Sequence, residues 1–127
     1  MKEKWSKSMN RICDANVILR YLMHDDNTLY DIAKEEINKN PIIPFVVLSE
    51  IVYVLKGVYK VPRKEIADTL IVLSDEVNYE DVELTIKTLQ NYKEYNLDFV
   101  DCYLLARNQV LKEEIVTFDK ELNNKIS

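Results

Sequence analysis

The sequence has little of several residue types that mark particular folds and sites. It contains one glycine, three prolines, one histidine and two cysteines among 127 residues. Turns that need glycine or proline are therefore few, and most of the chain is predicted to be helical. A structural zinc site is excluded in practice, because such sites draw their ligands from several cysteines and histidines at short spacings.

The two cysteines, Cys13 and Cys102, both lie inside apolar stretches. In a reducing compartment we expect them to be small buried hydrophobic residues. Each is next to an aspartate that we assign below to one site, so a disulfide between them is the less favoured alternative.

Long apolar runs are also missing. No stretch approaches the roughly 18 to 20 uncharged residues that a membrane-spanning helix needs. The first eight residues, MKEKWSKS, are charged and no apolar run follows them, so we do not expect a secretion signal. We expect a cytoplasmic protein without membrane association, in which residues 1–8 form an extension and residues 9–127 form a single domain. Apolar residues make up 47% of the chain and are enough to build one core.

The net charge is −5. Proteins that bind RNA as free chains are usually basic, so this charge argues against RNA binding. Acidic residues that hold metal ions would partly answer the objection, since a bound cation reverses the local sign of the field.

Hydrophobic periodicity and turn residues predict strands that alternate with helices. The predicted strands are residues 10–13, 76–79 and 114–117, with a short extended segment at 41–44. The predicted helices are residues 16–23, 29–38, 45–59, 62–73, 81–95, 98–111 and 119–124. This order favours an α/β fold, specifically a three-layer α/β/α sandwich with a central, mostly parallel sheet.

Four acidic residues stand where such a fold places ligands. Asp14 and Asp119 each follow a predicted strand, and ligands bind at the carboxyl ends of parallel strands. Asp101 lies in the first turn of a helix, where the helix dipole favours an anion. Glu50 interrupts an apolar helix, which is costly unless the charge is paired or bound to a metal.

Each acid also has an ordinary structural explanation. Asp14, Asp98 and Asp119 suit helix caps, and Glu50 suits a solvent-facing position. Asn16 more often orders a turn than binds a ligand. The case for a site lies in their joint spacing.

That joint pattern resembles the PIN domain family and, within it, the VapC-type toxins of toxin–antitoxin pairs. The segments that carry the resemblance are DANVILRYL (14–22), LSEIVYVL (48–55), DFVDCYLLA (98–106) and TFDKEL (117–122). Each is short, but together they have the order and spacing of the family over nearly the whole chain. The chain departs from the family in its N-terminal extension and in ending soon after Asp119, which leaves the edge of the sheet in question.

The resemblance implies a metal-dependent endoribonuclease. Asp14, Glu50, Asp101 and Asp119 fall on the family's acidic positions, and Asp98 falls on an additional acidic position. These carboxylates are hard oxygen ligands that favour Mg²⁺ or Mn²⁺. Asn16 and Thr117 fall on polar positions that support the carboxylates.

The resemblance also implies an RNA substrate, a homodimer and a cognate antitoxin protein. The apolar, tyrosine-containing stretch 51–59 is a candidate for the dimer contact, although core packing explains it equally well. The cations available to contact RNA are Arg11, Arg20, Lys56, Lys60, Arg63, Lys64 and Arg107.

Three alternatives stay open at this point. The same acids serve a nuclease of RNA processing or of structured DNA. A non-catalytic, antitoxin-binding module is a second alternative, although it has no need to keep clustered charge. A phosphate-accepting regulator is the least favoured, because the paired acids expected after its first strand are missing.

Overall fold

The computed structural model describes residues 11–126. Seven helices and two short strands lie in this part of the chain. In chain order they are α1 (Ala15–Met23), α2 (Asn27–Ile37), β1 (Ile42–Ile43), α3 (Phe45–Gly57), α4 (Arg63–Leu73), β2 (Asn78–Tyr79), α5 (Val82–Glu94), α6 (Phe99–Leu111) and α7 (Lys120–Asn123). The predicted extension, residues 1–8, lies outside the described residues.

The sheet is small and parallel. Ile42 and Ile43 of β1 pair with Asn78 and Tyr79 of β2, and Ile12 forms a parallel bridge with Ile42 on the other side of β1. The backbone N–H of Cys13 donates to the Ile42 carbonyl at 2.8 Å. The parallel arrangement confirms an α/β fold, whereas the three-layer sandwich stays a prediction.

The strand predicted at residues 114–117 is wrong. These residues are irregular in the structure, and Val116 and Phe118 are almost fully exposed. The alternation of polar and apolar residues in this segment is that of a strand. No neighbouring strand within residues 11–126 pairs with it, so the pattern alone does not produce one.

The helices agree with the predicted ones to within two residues at each end. Their boundaries have identifiable causes. Asp26 and Asp81 cap α2 and α5 by accepting from the backbone N–H three residues later. Pro44 and Pro62 precede α3 and α4, where proline's missing N–H costs the helix nothing.

One apolar core joins α1, α3, α4, α5 and α6 to the sheet. Aromatic side chains connect the starts of α3 and α6. The Phe45 ring lies 5.4 Å from the Phe99 ring and 4.0 Å from the Tyr103 ring, between centroids. The Asn91 side chain, buried in α5, donates to the Cys102 carbonyl of α6 at 3.1 Å. These contacts fix the first turns of α6, where two of the candidate acids lie.

Within the described residues, no helix is long and apolar enough to cross a membrane.

Candidate metal-binding site

Asp14 lies directly after the Ile12 bridge and before α1. Its side chain is exposed, and its Oδ1 atom accepts from the Ala15 N–H at 2.9 Å. It is therefore a helix cap at the carboxyl end of a strand-like segment. Asp14 thus follows the bridged segment that the sequence analysis predicts as a strand, and its role as a metal ligand stays a prediction.

Asp98 and Asp101 lie at the start of α6. Asp98 occupies the N-cap position, but its carboxylate makes no capping hydrogen bond. Asp101 is half-buried one turn later. Both carboxylates line a cavity of about 730 Å³ between α3 and α6. Asp98 therefore stands at the start of α6 without capping it through its side chain, and its predicted role as a metal ligand stays a prediction.

Asp119 caps α7 by accepting from the Leu122 N–H at 2.9 Å. Its own backbone N–H donates to the Thr117 Oγ1 atom at 3.0 Å, and the Asn123 side chain donates to the Thr117 carbonyl at 2.9 Å. Thr117 thus holds the turn that carries Asp119. Because the segment before it is irregular, Asp119 does not stand at a strand end as predicted.

Electrostatics connects three of these acids. The pKa of Asp101 is raised, first by burial and then by the negative charges of Asp119 and Asp98. Asp101 therefore lies in the electric field of both Asp119 and Asp98. Glu50 is exposed on α3, and neither Glu50 nor Asp14 is among the charges that raise the pKa of Asp101.

In residues 11–126 no three acidic, histidine or cysteine side chains are arranged to hold a single metal ion together. The donor chemistry nevertheless fits a hard cation, because every candidate ligand is a carboxylate oxygen. A cation would also relieve the repulsion that raises the pKa of Asp101. The caps of Asp14 and Asp119 each use Oδ1, and a carboxylate has a second oxygen that can accept or coordinate.

A PIN domain family model matches residues 11–125, a range that includes all five acidic positions. The chain belongs to the PIN domain family. PIN domains are generally nucleases that use divalent metals, so this PIN domain is a member of a hydrolase family. A search of curated proteins finds no match.

All four arginines of this PIN domain bind partners within the chain. Arg11 pairs with Glu36, Arg20 with Asp25, and Arg107 with Glu113. Arg63 donates to backbone carbonyls at the end of α5 and in the loop after it. By contrast, Lys56 and Lys60 line the same cavity as Asp98 and Asp101.

The two cysteines of this PIN domain are buried and unpaired, as predicted. Burial is the main cause that raises the pKa of Cys13 to about 11 and that of Cys102 to about 12. Both thiols therefore stay protonated at neutral pH, which makes them poor nucleophiles.

Sequence reasoning missed two features of the site. It gave the stretch 51–59, which contains Tyr53, as a candidate dimer contact or as core, whereas the Tyr53 side chain lines the cavity. It also treated Arg63 as a cation for RNA. The helical spacing of Tyr53 and Lys56 with Ser49 was a signal for a shared face, since residues three and four apart on a helix are neighbours.

Proposed function

We propose that this PIN domain is a Mg²⁺- or Mn²⁺-dependent endoribonuclease of the VapC type, the toxin of a toxin–antitoxin pair. The observation that carries the proposal is the half-buried Asp101, which lines a cavity in a PIN domain and whose pKa is raised by burial and by the charges of Asp119 and Asp98. Clustered charge of this kind is costly for a fold and is typical of a functional site.

Asp14 and Asp101 are proposed as the main metal ligands, with Glu50 and Asp119 holding the metal directly or through water. Asp98 is a peripheral ligand, and Asn16 and Thr117 orient the carboxylates. For Thr117 the support is its hydrogen bond from the Asp119 backbone N–H. The three-layer arrangement around the small sheet belongs to the same proposal.

A divalent cation, when bound, supplies an activated water and stabilises the leaving oxygen. The reaction is hydrolysis of a phosphodiester: the water oxygen bonds to phosphorus, and the bond from phosphorus to the leaving ribose oxygen breaks. The leaving oxygen takes up a proton. Lys56 and Lys60 hold the RNA backbone beside the carboxylates and offset part of the net charge of −5.

The first prediction is Mg²⁺-dependent cleavage of RNA. Purified protein is expected to cut a labelled single-stranded RNA with Mg²⁺ or Mn²⁺ and to leave it intact in excess EDTA. The measurement is the appearance of shorter fragments on a denaturing gel. A single-stranded DNA of the same sequence and a hairpin DNA are the comparison substrates. Cleavage of the DNA but not of the RNA would favour the alternative of a nuclease for structured DNA.

The toxin role needs a separate test. Expression of the chain in a bacterial host is expected to stop growth, and expression of the Asp101→Asn variant is expected to leave growth unchanged. The measurement is colony number at equal protein level. RNA cleavage in the tube without growth arrest would favour a nuclease of RNA processing. Growth arrest by both proteins would favour a non-catalytic binding module.

The homodimer, the antitoxin and the cytoplasmic location complete the proposal. The stretch 51–59 has fewer exposed apolar side chains for a dimer contact than its sequence indicates, because Ile51, Val52 and Leu55 are buried in the core. An acidic protein suits a partner with a basic segment that reaches the carboxylates.

A further inference from the structure

The cavity beside the carboxylates has the size and composition of a binding site. Its volume of about 730 Å³ lies in the range of roughly 300 to 1,000 Å³ that is usual for ligand pockets. The second half of α3, the turn after it and the first turn of α6 form most of its wall.

The floor of the cavity is apolar and fixed in place. Val52, Tyr92 and Phe99 line it and are buried. The Tyr92 and Phe99 rings pack edge to face, with centroids 5.4 Å apart. The Arg63 guanidinium covers Tyr92, with its Cζ atom 3.9 Å from the ring centroid. A flat apolar group that enters the cavity can pack against this floor without disturbing the core.

The rim of the cavity is different. Tyr53 lines it and is 76% exposed, which is unusual for a large aromatic side chain. Lys56 and Lys60 lie on the same rim, and both are exposed. Neither lysine takes part in an ion pair within residues 11–126, whereas Arg11, Arg20 and Arg107 do.

Lys60 also has a strained backbone. Its φ angle is 59°, a left-handed conformation that costs a residue with a Cβ atom about 1 to 2 kcal/mol. Glycine would adopt this conformation without the cost, yet the chain has lysine here. His24, Asn40 and Lys112 have the same left-handed conformation just after other helices, so at Lys60 it belongs to the turn that ends α3.

We propose that this cavity binds one unpaired nucleotide of the RNA, next to the bond that is cut. Its base stacks on Tyr53 above the apolar floor, and its phosphate lies against Lys56 and Lys60. This inference rests on the proposed function. RNA is favoured over a protein segment because the cavity combines an aromatic face with unpaired cations beside the carboxylates of the metal-binding site. Stacking on Tyr53 in the cavity requires an unpaired base, so duplex RNA is expected to bind more weakly than single-stranded RNA.

The experiment measures binding apart from cleavage. A fluorescein-labelled single-stranded RNA is titrated with the Asp101→Asn protein, and anisotropy gives Kd. Adding Tyr53→Ala is expected to weaken binding about tenfold, because stacking contributes that much per base. Tyr53→Phe keeps the ring and is expected to bind within about twofold of the parent.

Lys60→Gly is the sharpest variant, because it removes the charge and the backbone strain together. Its melting temperature is expected to equal or exceed that of the parent, so a loss of binding is not explained by unfolding. We expect weaker binding and a slope of log Kd against log salt that is smaller by about 0.7, the value for one phosphate contact on a single strand. Lys64→Gln is the matched control, since Lys64 is exposed nearby and outside the cavity; its binding is expected to stay within about twofold.

Three outcomes would overturn the inference. The first is unchanged RNA binding in both Tyr53→Ala and Lys60→Gly while the unmodified protein still cleaves RNA, a result that leaves the proposed function intact. The second is unchanged RNA binding with a shift from dimer to monomer in sedimentation, which assigns the cavity to a second copy of the chain. The third is an affinity for duplex RNA that equals the affinity for single-stranded RNA. Absence of Mg²⁺-dependent cleavage in the unmodified protein is the separate failure of the proposed function.

Discussion

The Asp101→Asn variant is expected to lose RNA cleavage while keeping its fold. Replacing one carboxylate oxygen by an amide nitrogen removes a negative charge and a metal-binding oxygen at almost constant volume. Loss of a group that merely orients a metal ligand typically costs 10- to 100-fold, so loss of a direct ligand is expected to cost about 100-fold or more in kcat/KM. The measurement is the initial rate of RNA cleavage at saturating Mg²⁺.

The stability of this variant separates a catalytic role from a structural one. Burial, Asp119 and Asp98 raise the pKa of Asp101 in the folded protein. The group therefore favours folding when it is protonated, at low pH, and this contribution is lost as the pH rises through the folded pKa. At neutral pH the ionised carboxylate opposes folding of the metal-free protein. Asp101→Asn removes that opposition, so its melting temperature without metal is expected to equal or exceed that of the unmodified protein.

The effect of Mg²⁺ on the melting temperature is a second test of Asp101 as a metal ligand. At a Mg²⁺ concentration 100 times its Kd, a bound ion stabilises the folded state by about 2.7 kcal/mol. The melting temperature of the unmodified protein is therefore expected to rise with Mg²⁺, and that of Asp101→Asn to rise much less. Asp75→Asn is the matched control, because Asp75 is exposed in the turn after α4 and does not line the cavity. Normal cleavage by Asp101→Asn, or an equal response of both proteins to Mg²⁺, would exclude Asp101 as a ligand.

The sequence predicted the helices well for a physical reason. Helical periodicity and caps are local signals, and residues such as Asp26, Asp81 and Pro62 act within their own turn. Strands depend on partners that are distant in sequence. Residues 42–43 and 78–79 found such partners, whereas residues 114–117 did not, although their pattern is equally strand-like.

The residue types of the site could be predicted from the sequence, but the contacts and electrostatic effects between those residues could not. The spacing of Asp98 and Asp101 in the first turn of one helix made their common cavity foreseeable. The electrostatic effect of Asp119 on Asp101 depends on how residues 112–119 cross the surface, and no local signal encodes that path. Arg63 shows the same limit. The sequence identifies a cation at this position, but only the fold shows that its hydrogen-bond partners are backbone carbonyls.

Arg63 anchors the loop that leads into the site. Its Nη1 atom donates to the carbonyls of Tyr92, Tyr95 and Leu97 at 3.0, 2.9 and 2.8 Å. The Tyr92 carbonyl is one of the last in α5, where a helix leaves its acceptors unsatisfied and its dipole attracts a cation. The residue after Leu97 is Asp98, so the same guanidinium fixes the backbone from which Asp98 and Asp101 project.

Arg63→Ala is therefore expected to reduce both stability and cleavage. Leaving half-buried carbonyls without a donor, and losing the contact with the Tyr92 ring, is expected to lower the free energy of unfolding by about 2 to 4 kcal/mol. That is a large share of the roughly 5 to 15 kcal/mol of a typical domain. Urea unfolding at constant Mg²⁺ measures it.

Two further variants isolate the cause. Lys64→Ala removes an exposed cation one residue away and is expected to change stability by less than about 0.5 kcal/mol. Arg63→Lys keeps the charge but loses the planar fork that stacks on Tyr92, so intermediate stability is expected. If Arg63 acted on RNA instead, Arg63→Ala would weaken RNA binding and its salt dependence while the urea midpoint stayed constant. That combination of results would show that Arg63 binds RNA and does not stabilise the fold.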